Sequence, residues 1–382
     1  MRSSLRFASV LFALATLGLT ACGNKSNVHE PTPLADISNP ALKPDSAWSD
    51  STGGSGDIFS TLRINLQPDA LFTADTDGEV YAIKPANGDR IWRTKTKARV
   101  VSGPGVFGNL VLVGTLDAEV IALNRADGKE LWRSKVSSEV MAPPAGEGHT
   151  VVVRTGDGQV HGLAADSGQA LWHFDRTEPD LLLRGMSEPL IVGNRVYIGM
   201  DNGRAVALAL DSGALLWEQA VAVPSGRTPL DRMTDIDAPL MPSGNNIFAV
   251  SFGGELAALD GDSGEVAWRR AVKSASGITQ QGELVVTTDH NGVVWALDAA
   301  TGAAVWKQEG LQYRKLSPPA AFAGYVVVGD YQGYLHWLDP KDGKVVGRSR
   351  AGRDPIRAQP VAGENLLYVL NTSGKLSAVK AH

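Results

Sequence analysis

The sequence predicts an all-β fold, an eight-bladed β-propeller made of four-stranded antiparallel blades. Three observations lead to this prediction. A turn glycine followed four positions later by Trp recurs about every 40 residues, and a pair of apolar runs joined by a polar turn precedes each such marker. No long segment repeats its apolar residues every 3.6 positions, which argues against arrays of helix pairs.

Composition and charge exclude several classes of protein. The 382 residues are 43% hydrophobic and 20% charged, which is ordinary for a folded protein and excludes disorder along the whole length. Lys and Arg number 36 against 41 Asp and Glu, a formal charge of −5. Without a basic excess, nucleic acid is not an expected partner. The one cysteine, Cys22, excludes an internal disulfide.

The chain begins with an apparent export signal, residues 1–21. Two arginines, Arg2 and Arg6, precede an apolar run that is long enough for a signal peptide and short for a membrane span. The run ends in Leu-Thr-Ala-Cys, which resembles a bacterial lipobox, so Cys22 is expected to carry lipid. Gly23 follows it, and this resembles the outer-membrane class of lipoproteins. The alternative is a plain signal peptide with a chance cysteine.

A tether is predicted over residues 22–47, and the propeller over residues 48–382. The tether is polar, contains four prolines and shows no apolar period. As a flexible coil it would span on the order of 25–30 Å. We therefore expect a lipid-anchored protein at the outer membrane that faces the periplasm.

Each repeat is interpreted as four strands. A segment with proline forms the inner strand, the hairpin forms the two middle strands, and the Trp segment forms the outer strand. A large aromatic side chain on the outer strand can fill the wedge between two twisted sheets. The Trp residues of the markers are Trp92, Trp132, Trp172, Trp217, Trp268 and Trp306.

Counting the repeats predicts how the ring closes. There are eight hairpins, the last over 366–379, but only seven outer-strand markers after the first hairpin. In the last marker Gly347 replaces Trp. An additional Trp48 precedes the first hairpin, so the N-terminal strand is expected to pair with the C-terminal hairpin and remove the open edges. A seven-bladed ring with irregular ends is the alternative.

The repeat unit D-x-x-[ST]-G-x-x-x-W resembles the PQQ-type propeller repeat of quinoprotein dehydrogenases and of BamB lipoproteins. The resemblance to BamB extends from the lipobox through all eight units and includes the stretches at 181–189 and 231–239. It implies a non-enzymatic subunit that docks the periplasmic POTRA domains of BamA, aids the folding and insertion of β-barrel outer-membrane proteins, and has nascent clients as a further partner. Ala118 and Gly347 depart from the repeat and are interpreted as drift in the scaffold.

No catalytic, metal or cofactor site is predicted. The seven histidines have no metal-ligand spacing, and the segment that begins at Asp75 lacks the glutamate that a calcium loop needs at residue 86. No serine lies in a G-x-S-x-G elbow. Quinoprotein dehydrogenases resemble this chain only in the repeat, because they carry a pair of adjacent cysteines beside the quinone. A periplasmic quinoprotein oxidoreductase or another ligand-binding propeller remains the alternative function.

Loop length indicates the partner surface. The connections over 173–189 and 218–239 are longer than the two before them, are consecutive in the ring, and should form one rim. The first contains leucines where polar residues are expected, and the second is rich in aspartate. The anchors expected there, which match the stretches by which BamB proteins dock BamA, are Leu181, Leu183, Arg184, Asp235 and Asp237. Arg184 and the two aspartates either contact the partner or shape the loops.

Overall fold

Eight antiparallel sheets follow one another along the chain and form a ring, the eight-bladed propeller that the repeats predict. The computed structural model describes residues 29–54, 61–175, 187–224, 227–228, 233–274 and 276–382. Within these residues no helix has the length and hydropathy needed to cross a membrane. Residues from Pro31 to His382 make up one compact unit, and the eight sheets all lie in it.

Seven blades are continuous in sequence, and each begins with its innermost strand. Blades 1 to 4 contain β3 (Asn65–Leu66), β4 (Leu71–Ala74), β5 (Glu79–Ile83), β6 (Arg90–Lys95); β7 (Val100–Phe107), β8 (Leu110–Thr115), β9 (Glu119–Asn124), β10 (Glu130–Lys135); β11 (Ala145–Glu147), β12 (Thr150–Arg154), β13 (Val160–Ala164), β14 (Ala170–Phe174); β15 (Leu190–Val192), β16 (Arg195–Gly199), β17 (Arg204–Ala209) and β18 (Leu215–Ala220).

Blades 5 to 8 repeat this order, and the last of them takes its outer strand from the N-terminus. They contain β19 (Met241–Ser243), β20 (Asn246–Val250), β21 (Glu255–Asp260), β22 (Val266–Ala271); β23 (Ile278–Gln281), β24 (Leu284–Thr288), β25 (Val294–Asp298), β26 (Ala304–Gln308); β27 (Ala320–Phe322), β28 (Tyr325–Gly329), β29 (Tyr334–Leu338), β30 (Val345–Arg350); β31 (Val361–Ala362), β32 (Leu367–Leu370), β33 (Lys375–Lys380) and β1 (Asp45–Ser51).

The predicted closure of the ring is confirmed. Strand β1 pairs antiparallel with β33, with Trp48 opposite Ala378. A further short strand, β2 (Thr61–Leu62), pairs in parallel with β7 of blade 2. Eight blades rather than seven are present because the first and last segments of the chain build one blade together.

The regular spacing between glycine and Trp in each repeat is explained by a contact between neighbouring blades, which we call the Trp interlock. The indole Nε1 of Trp132 on β10 donates a hydrogen bond of 2.9 Å to the carbonyl of Ala165 in the next blade. The same ring covers Gly168, whose φ is 71°. A Cβ added at Gly168 would lie 2.6 Å from the Trp132 ring. Each marker therefore supplies a glycine that receives one Trp and a Trp that enters the next blade.

Six other tryptophans make the equivalent hydrogen bond to the next blade. Their pairs of donor and carbonyl are Trp48 with Pro85, Trp92 with Arg125, Trp172 with Leu210, Trp217 with Gly261, Trp268 with Ala299 and Trp306 with Pro340. Seven of the eight junctions are thus joined by an indole, and the eighth lies between blades 7 and 8.

The junction between blades 7 and 8 shows that Gly347 is not mere drift, which corrects the sequence interpretation. In blade 7 the tryptophan lies on the neighbouring strand, because Trp337 of β29 is paired directly with Gly347 of β30. Trp337 is fully buried in one cluster with Leu42 and Val379. A Cβ at residue 347 would lie 2.9 Å from the carbonyl oxygen of Leu42. Gly347 therefore makes room for the N-terminal segment, and Trp337 with Leu42 fills the wedge.

Part of the predicted tether belongs to the propeller. Strand β1 begins at Asp45, three residues before the expected boundary, and Leu42 is 5% exposed. The amide of Ala41 donates to the carbonyl of Val346, and the amide of Lys43 donates to the carbonyl of His382. The prediction of a flexible tether is therefore wrong for residues 41–47, which the sequence alone could not assign because their partners lie at the opposite end of the chain.

Candidate docking rim and central channel

Two consecutive connections define a surface that we call the rim, residues 175–189 between β14 and β15 and residues 221–240 between β18 and β19. Both run from the outer strand of one blade to the inner strand of the next, so their described ends, residues 175, 187–189, 221–224 and 233–240, lie on one face of the ring. The hydroxyl of Ser187 donates a hydrogen bond of 3.1 Å to the carbonyl of Ala238. The two connections are thus joined where they descend to the channel, as the sequence predicts.

The residues that carry the sequence prediction divide into two groups. Leu181, Leu183 and Arg184 lie outside the described residues, as does Cys22. Their roles stay predictions. Asp235 and Asp237 belong to the described part of the second connection, and their surroundings can be compared with the expectation.

The Asp235 side chain is buried rather than presented to the outside. The residue is 1% exposed, and its carbonyl accepts a hydrogen bond of 2.9 Å from the amide of Phe252. The adjacent Ile236 is fully buried against Gly199, where no Cβ could be accommodated. The packing favours the loop-shaping role for Asp235, one of the two roles that the sequence left open.

Asp237 lies in an unusual electrostatic environment. Burial raises the pKa of its carboxyl to about 8, the negative charges of Asp201 and Asp235 add to this, and Arg154 opposes it. Among the described residues, its Oδ1 accepts no hydrogen bond. A carboxyl with such a pKa is largely protonated at neutral pH, so it offers a hydrogen-bond donor rather than a negative charge.

A buried ion pair supports this part of the rim. Arg154 at the end of β12 is fully buried and its Nη2 donates 2.6 Å to Asp201, which is 3% exposed and lies in the hairpin turn of blade 4. The pair links blade 3 to blade 4 beside Asp237. Breaking such a buried pair by removing one partner costs about 3–5 kcal/mol, because the other charge stays buried.

The described part of the rim also exposes an apolar side chain that the sequence argument missed. Val223 is 70% exposed, the largest value among the large apolar side chains in the described part of the chain. At the base of the first connection, His173 and Asp175 form an exposed pair with 3.5 Å between Nε2 and Oδ2. The signal for Val223 was an apolar residue directly before Pro224, in a connection that should be polar.

The central channel contains a cavity of about 490 Å³. Inner-strand segments surround it, with Asp237 and prolines such as Pro143, Pro239 and Pro318 on its wall. An ion pair between Arg63 and Glu188 also lines it. Residues 61–64, which precede blade 1, also line the cavity, and Thr61 and Leu62 pair with β7 of blade 2 on its inner side.

The channel residues do not fit a quinone with its calcium ion. The chain has one cysteine, Cys22, so it cannot form the adjacent pair of the dehydrogenases. In the part of the chain that the structure describes, no group of three or more His, Cys, Asp or Glu side chains is placed to hold a metal ion. The fold defines a class of protein, a β-propeller built of PQQ-type repeats.

Comparison with known proteins gives the family. A family model described as outer membrane protein assembly factor BamB matches residues 76–308. The chain is 45% identical to outer membrane protein assembly factor BamB of Pseudomonas aeruginosa, over 96% of this chain and 97% of that protein. It is 31% identical to BamB of Escherichia coli, over 95% of each. The chain belongs to the BamB family; it is an outer membrane protein assembly factor and not an enzyme.

Solved structures agree with this assignment. BamB from Moraxella catarrhalis superposes with a TM-score of 0.81 at 26% identity, and the match covers 88% of this chain and 99% of that one. A europium-containing methanol dehydrogenase has a TM-score of 0.70 at 15% identity, covering 88% of this chain and 93% of that one. At that identity the likeness shows the propeller fold alone.

Proposed function

We propose that this assembly factor is a lipid-anchored scaffold that docks the POTRA domains of BamA through the rim and so aids the folding and insertion of β-barrel proteins at the outer membrane. The proposal rests on the 45% identity to a BamB protein, which extends over 96% of this chain. The rim is assigned as the docking surface by the resemblance of residues 181–189 and 231–239 to the docking stretches of that family.

The described geometry supports a binding role for the rim. Val223 gives an exposed apolar point on the second connection, and His173 and Asp175 form an exposed polar pair where the first connection begins. Protein interfaces combine an apolar centre with a polar edge. The ion pair of Arg154 with Asp201 and the indole hydrogen bonds of Trp172 and Trp217 join blades 3 to 5 beneath the rim, so that little conformational freedom is lost on docking.

A pair of matched valine variants tests the rim. Val223→Asp places a charge on the proposed apolar surface, and we expect recovery of BamA in co-purification from detergent-solubilised outer membrane to fall roughly tenfold or more. Val305→Asp is the control, because Val305 is 50% exposed on β26 of blade 6, away from the rim.

The triple variant Leu181→Ala, Leu183→Ala and Arg184→Ala tests the same surface through the predicted anchors. We expect it to lose BamA with a nearly unchanged melting temperature. Full retention of BamA by both the triple variant and Val223→Asp would place the docking surface elsewhere on the ring.

The anchor is tested separately at Cys22. Two or more acyl chains give stable membrane attachment, since each buried methylene contributes about 0.8 kcal/mol. Cys22→Ala should therefore move the protein from the membrane fraction to the soluble fraction after cell lysis. Mass spectrometry of the mature wild-type N-terminus that finds an unmodified Cys22, or cleavage at another residue, would refute the anchor.

A further inference from the structure

The N-terminal segment is held on the ring by two arginines of blades 6 and 7 that the proposed docking does not use. Nη1 of Arg314 donates a hydrogen bond of 3.1 Å to the carbonyl of Thr32. Nη1 of Arg348 donates a hydrogen bond of 3.0 Å to the carbonyl of Ala35. The amide of Thr32 also donates 3.0 Å to the carbonyl of Gln312. Backbone carbonyls far apart in sequence from these side chains are thus bound by charged donors.

A buried network orients the first of these arginines. Arg314 is 3% exposed and donates through Nε and Nη2 to Asp330, at 2.9 and 2.7 Å. Asp330 also accepts from Nε2 of His336 at 3.0 Å, and both residues are fully buried. Burial alone would raise the pKa of Asp330, but the hydrogen bonds from His336 and Arg314 lower it below its usual value. The aspartate is therefore charged, and it fixes the guanidinium with Nη1 directed at Thr32.

The second arginine is positioned by the same histidine. Nε of Arg348 lies 3.3 Å from Nδ1 of His336. Burial lowers the pKa of His336 against the effect of Asp330, so the imidazole is neutral at neutral pH and its Nδ1 can accept this hydrogen bond. The two guanidinium groups are thus connected through one aspartate and one histidine.

Apolar packing continues the attachment along the segment. Leu34 packs against the cluster of buried residues that contains Trp306 and Leu311. Leu42 fills the wedge between blades 7 and 8, next to Trp337. Together with the main-chain hydrogen bonds of Ala41 and Lys43, these contacts occur at intervals along the whole of residues 32–43, which we call the strap.

We propose that the strap, bound by Arg314 and Arg348, makes the link between lipid and propeller short, so that the connection between blades 6 and 7 is the part of the ring held towards the phospholipid surface. This inference rests on the proposed lipid anchor at Cys22. From Cys22 to Thr32 the chain advances ten residues, which span at most about 35 Å when extended and about 16–19 Å as a flexible coil. A link that was free up to Asp45 could extend about 80 Å.

The strap also determines which face is constrained. Gln312 and Arg314 lie in the connection from β26 to β27, which runs from an outer strand to an inner strand like the two connections of the rim. The lipid link and the rim therefore start from the same face of the ring. A short link at this place limits how far the rim can turn away from the membrane.

Hydrogen exchange on the detergent-solubilised lipoprotein tests the strap itself. Two variants release it at different places: Arg348→Ala removes a donor, and Leu34→Asp removes an apolar contact without touching either arginine. Arg350→Ala is the matched control, because Arg350 lies two residues along the same strand and donates to the carbonyl of Gln332 instead.

We expect peptides that cover residues 32–43 to be protected in the wild type and to exchange roughly tenfold faster in both release variants, with no change in the control. Exchange in the wild type at the rate of an unstructured peptide would overturn the inference. So would unchanged protection in both release variants.

Energy transfer to labelled vesicles tests the orientation. The lipoprotein carries a donor dye either at Glu309→Cys, in the connection between blades 6 and 7, or at Lys135→Cys, at the end of β10 across the ring. The vesicles contain phosphatidylethanolamine and phosphatidylglycerol with an acceptor dye on the headgroup. We expect more transfer from residue 309 than from residue 135, and a smaller difference when Arg348→Ala and Leu34→Asp are added.

Equal transfer from the two sites in the otherwise unchanged protein would overturn the orientation. Failure of the lipoprotein to associate with vesicles would instead refute the anchor on which the inference rests, while the exchange experiment decides the strap independently.

Discussion

Leu42→Ala is the sharpest test of the closure of the ring. The side chain is 5% exposed and packs among Phe322, Trp337 and Val379, between blades 7 and 8. Removing three buried carbons costs about 2.4 kcal/mol at about 0.8 kcal/mol each. The cavity left in the wedge adds roughly 1 kcal/mol, since packed surroundings collapse only in part. We expect the free energy of unfolding to fall by about 3 kcal/mol, a large share of the roughly 5–15 kcal/mol typical of proteins.

The assay is urea denaturation followed by tryptophan fluorescence, with the slope of the transition compared between variants. Leu171→Ala is the matched control, because Leu171 is 52% exposed on the outer strand β14. Leu171→Ala should lower the free energy of unfolding by less than about 1 kcal/mol. If Leu42→Ala is no more destabilising than Leu171→Ala, the N-terminal segment does not fill the last wedge, and the argument from Gly347 and Trp337 fails.

Two further predictions concern single residues with unusual conformation or charge. Ala118 has a φ of 57° in the turn of blade 2, where other repeats have glycine. Ala118→Gly should therefore raise the free energy of unfolding by about 1 kcal/mol in the same urea assay. A decrease in the free energy of unfolding would show that the backbone of Ala118 is not strained. The carboxyl of Asp237 has a folded pKa of about 8 against an ordinary value of 3.8. As pH rises from about 4 to 8, the unfolded chain releases this proton first, so the carboxyl lowers stability progressively. Asp237→Asn should raise the melting temperature at pH 8 and leave it nearly unchanged at pH 4. An equal effect at both pH values would contradict the raised pKa.

The Trp interlock holds the blades together, and a rigid ring of this kind suits the proposed role as a scaffold. At seven of the eight junctions an indole donates to a carbonyl of the next blade, and at the eighth Trp337 and Leu42 pack together, so these contacts between blades do not depend on the connections above them. The rim connections can then vary in length and sequence without loosening the ring. The rim over blades 3 to 5 and the strap over blades 6 to 8 occupy different parts of one such rigid body.

Much of the fold follows from the sequence because its signals are local. Strand alternation, the Asp-Gly and Asn-Gly turns and the spacing from glycine to Trp lie within single repeats, so eight units and their order can be counted directly. The pairing of the first strand with the last hairpin also follows, since one outer strand is missing at one end of the chain and present at the other.

The surroundings of the candidate site residues were predicted less completely. The sequence left open whether Asp235 and Asp237 contact a partner or shape the loops; the structure buries Asp235 and places the charges of Asp201 and Arg154 near Asp237. Val223 was overlooked because exposure depends on what the rest of the ring leaves uncovered. Burial and pKa are properties of neighbours that the repeat pattern does not specify.

The sequence by itself determined the class of fold, the number of blades, the closure and the family of this chain, because each depends on residues within about 40 positions of one another or on a count of repeats. Only the tertiary structure decided that Leu42 and Trp337 fill the last wedge and that Arg314 binds the carbonyl of Thr32, 282 positions away. Such contacts exist only after the ring has closed, and their energy comes from packing and desolvation between segments that have no relation in the linear sequence.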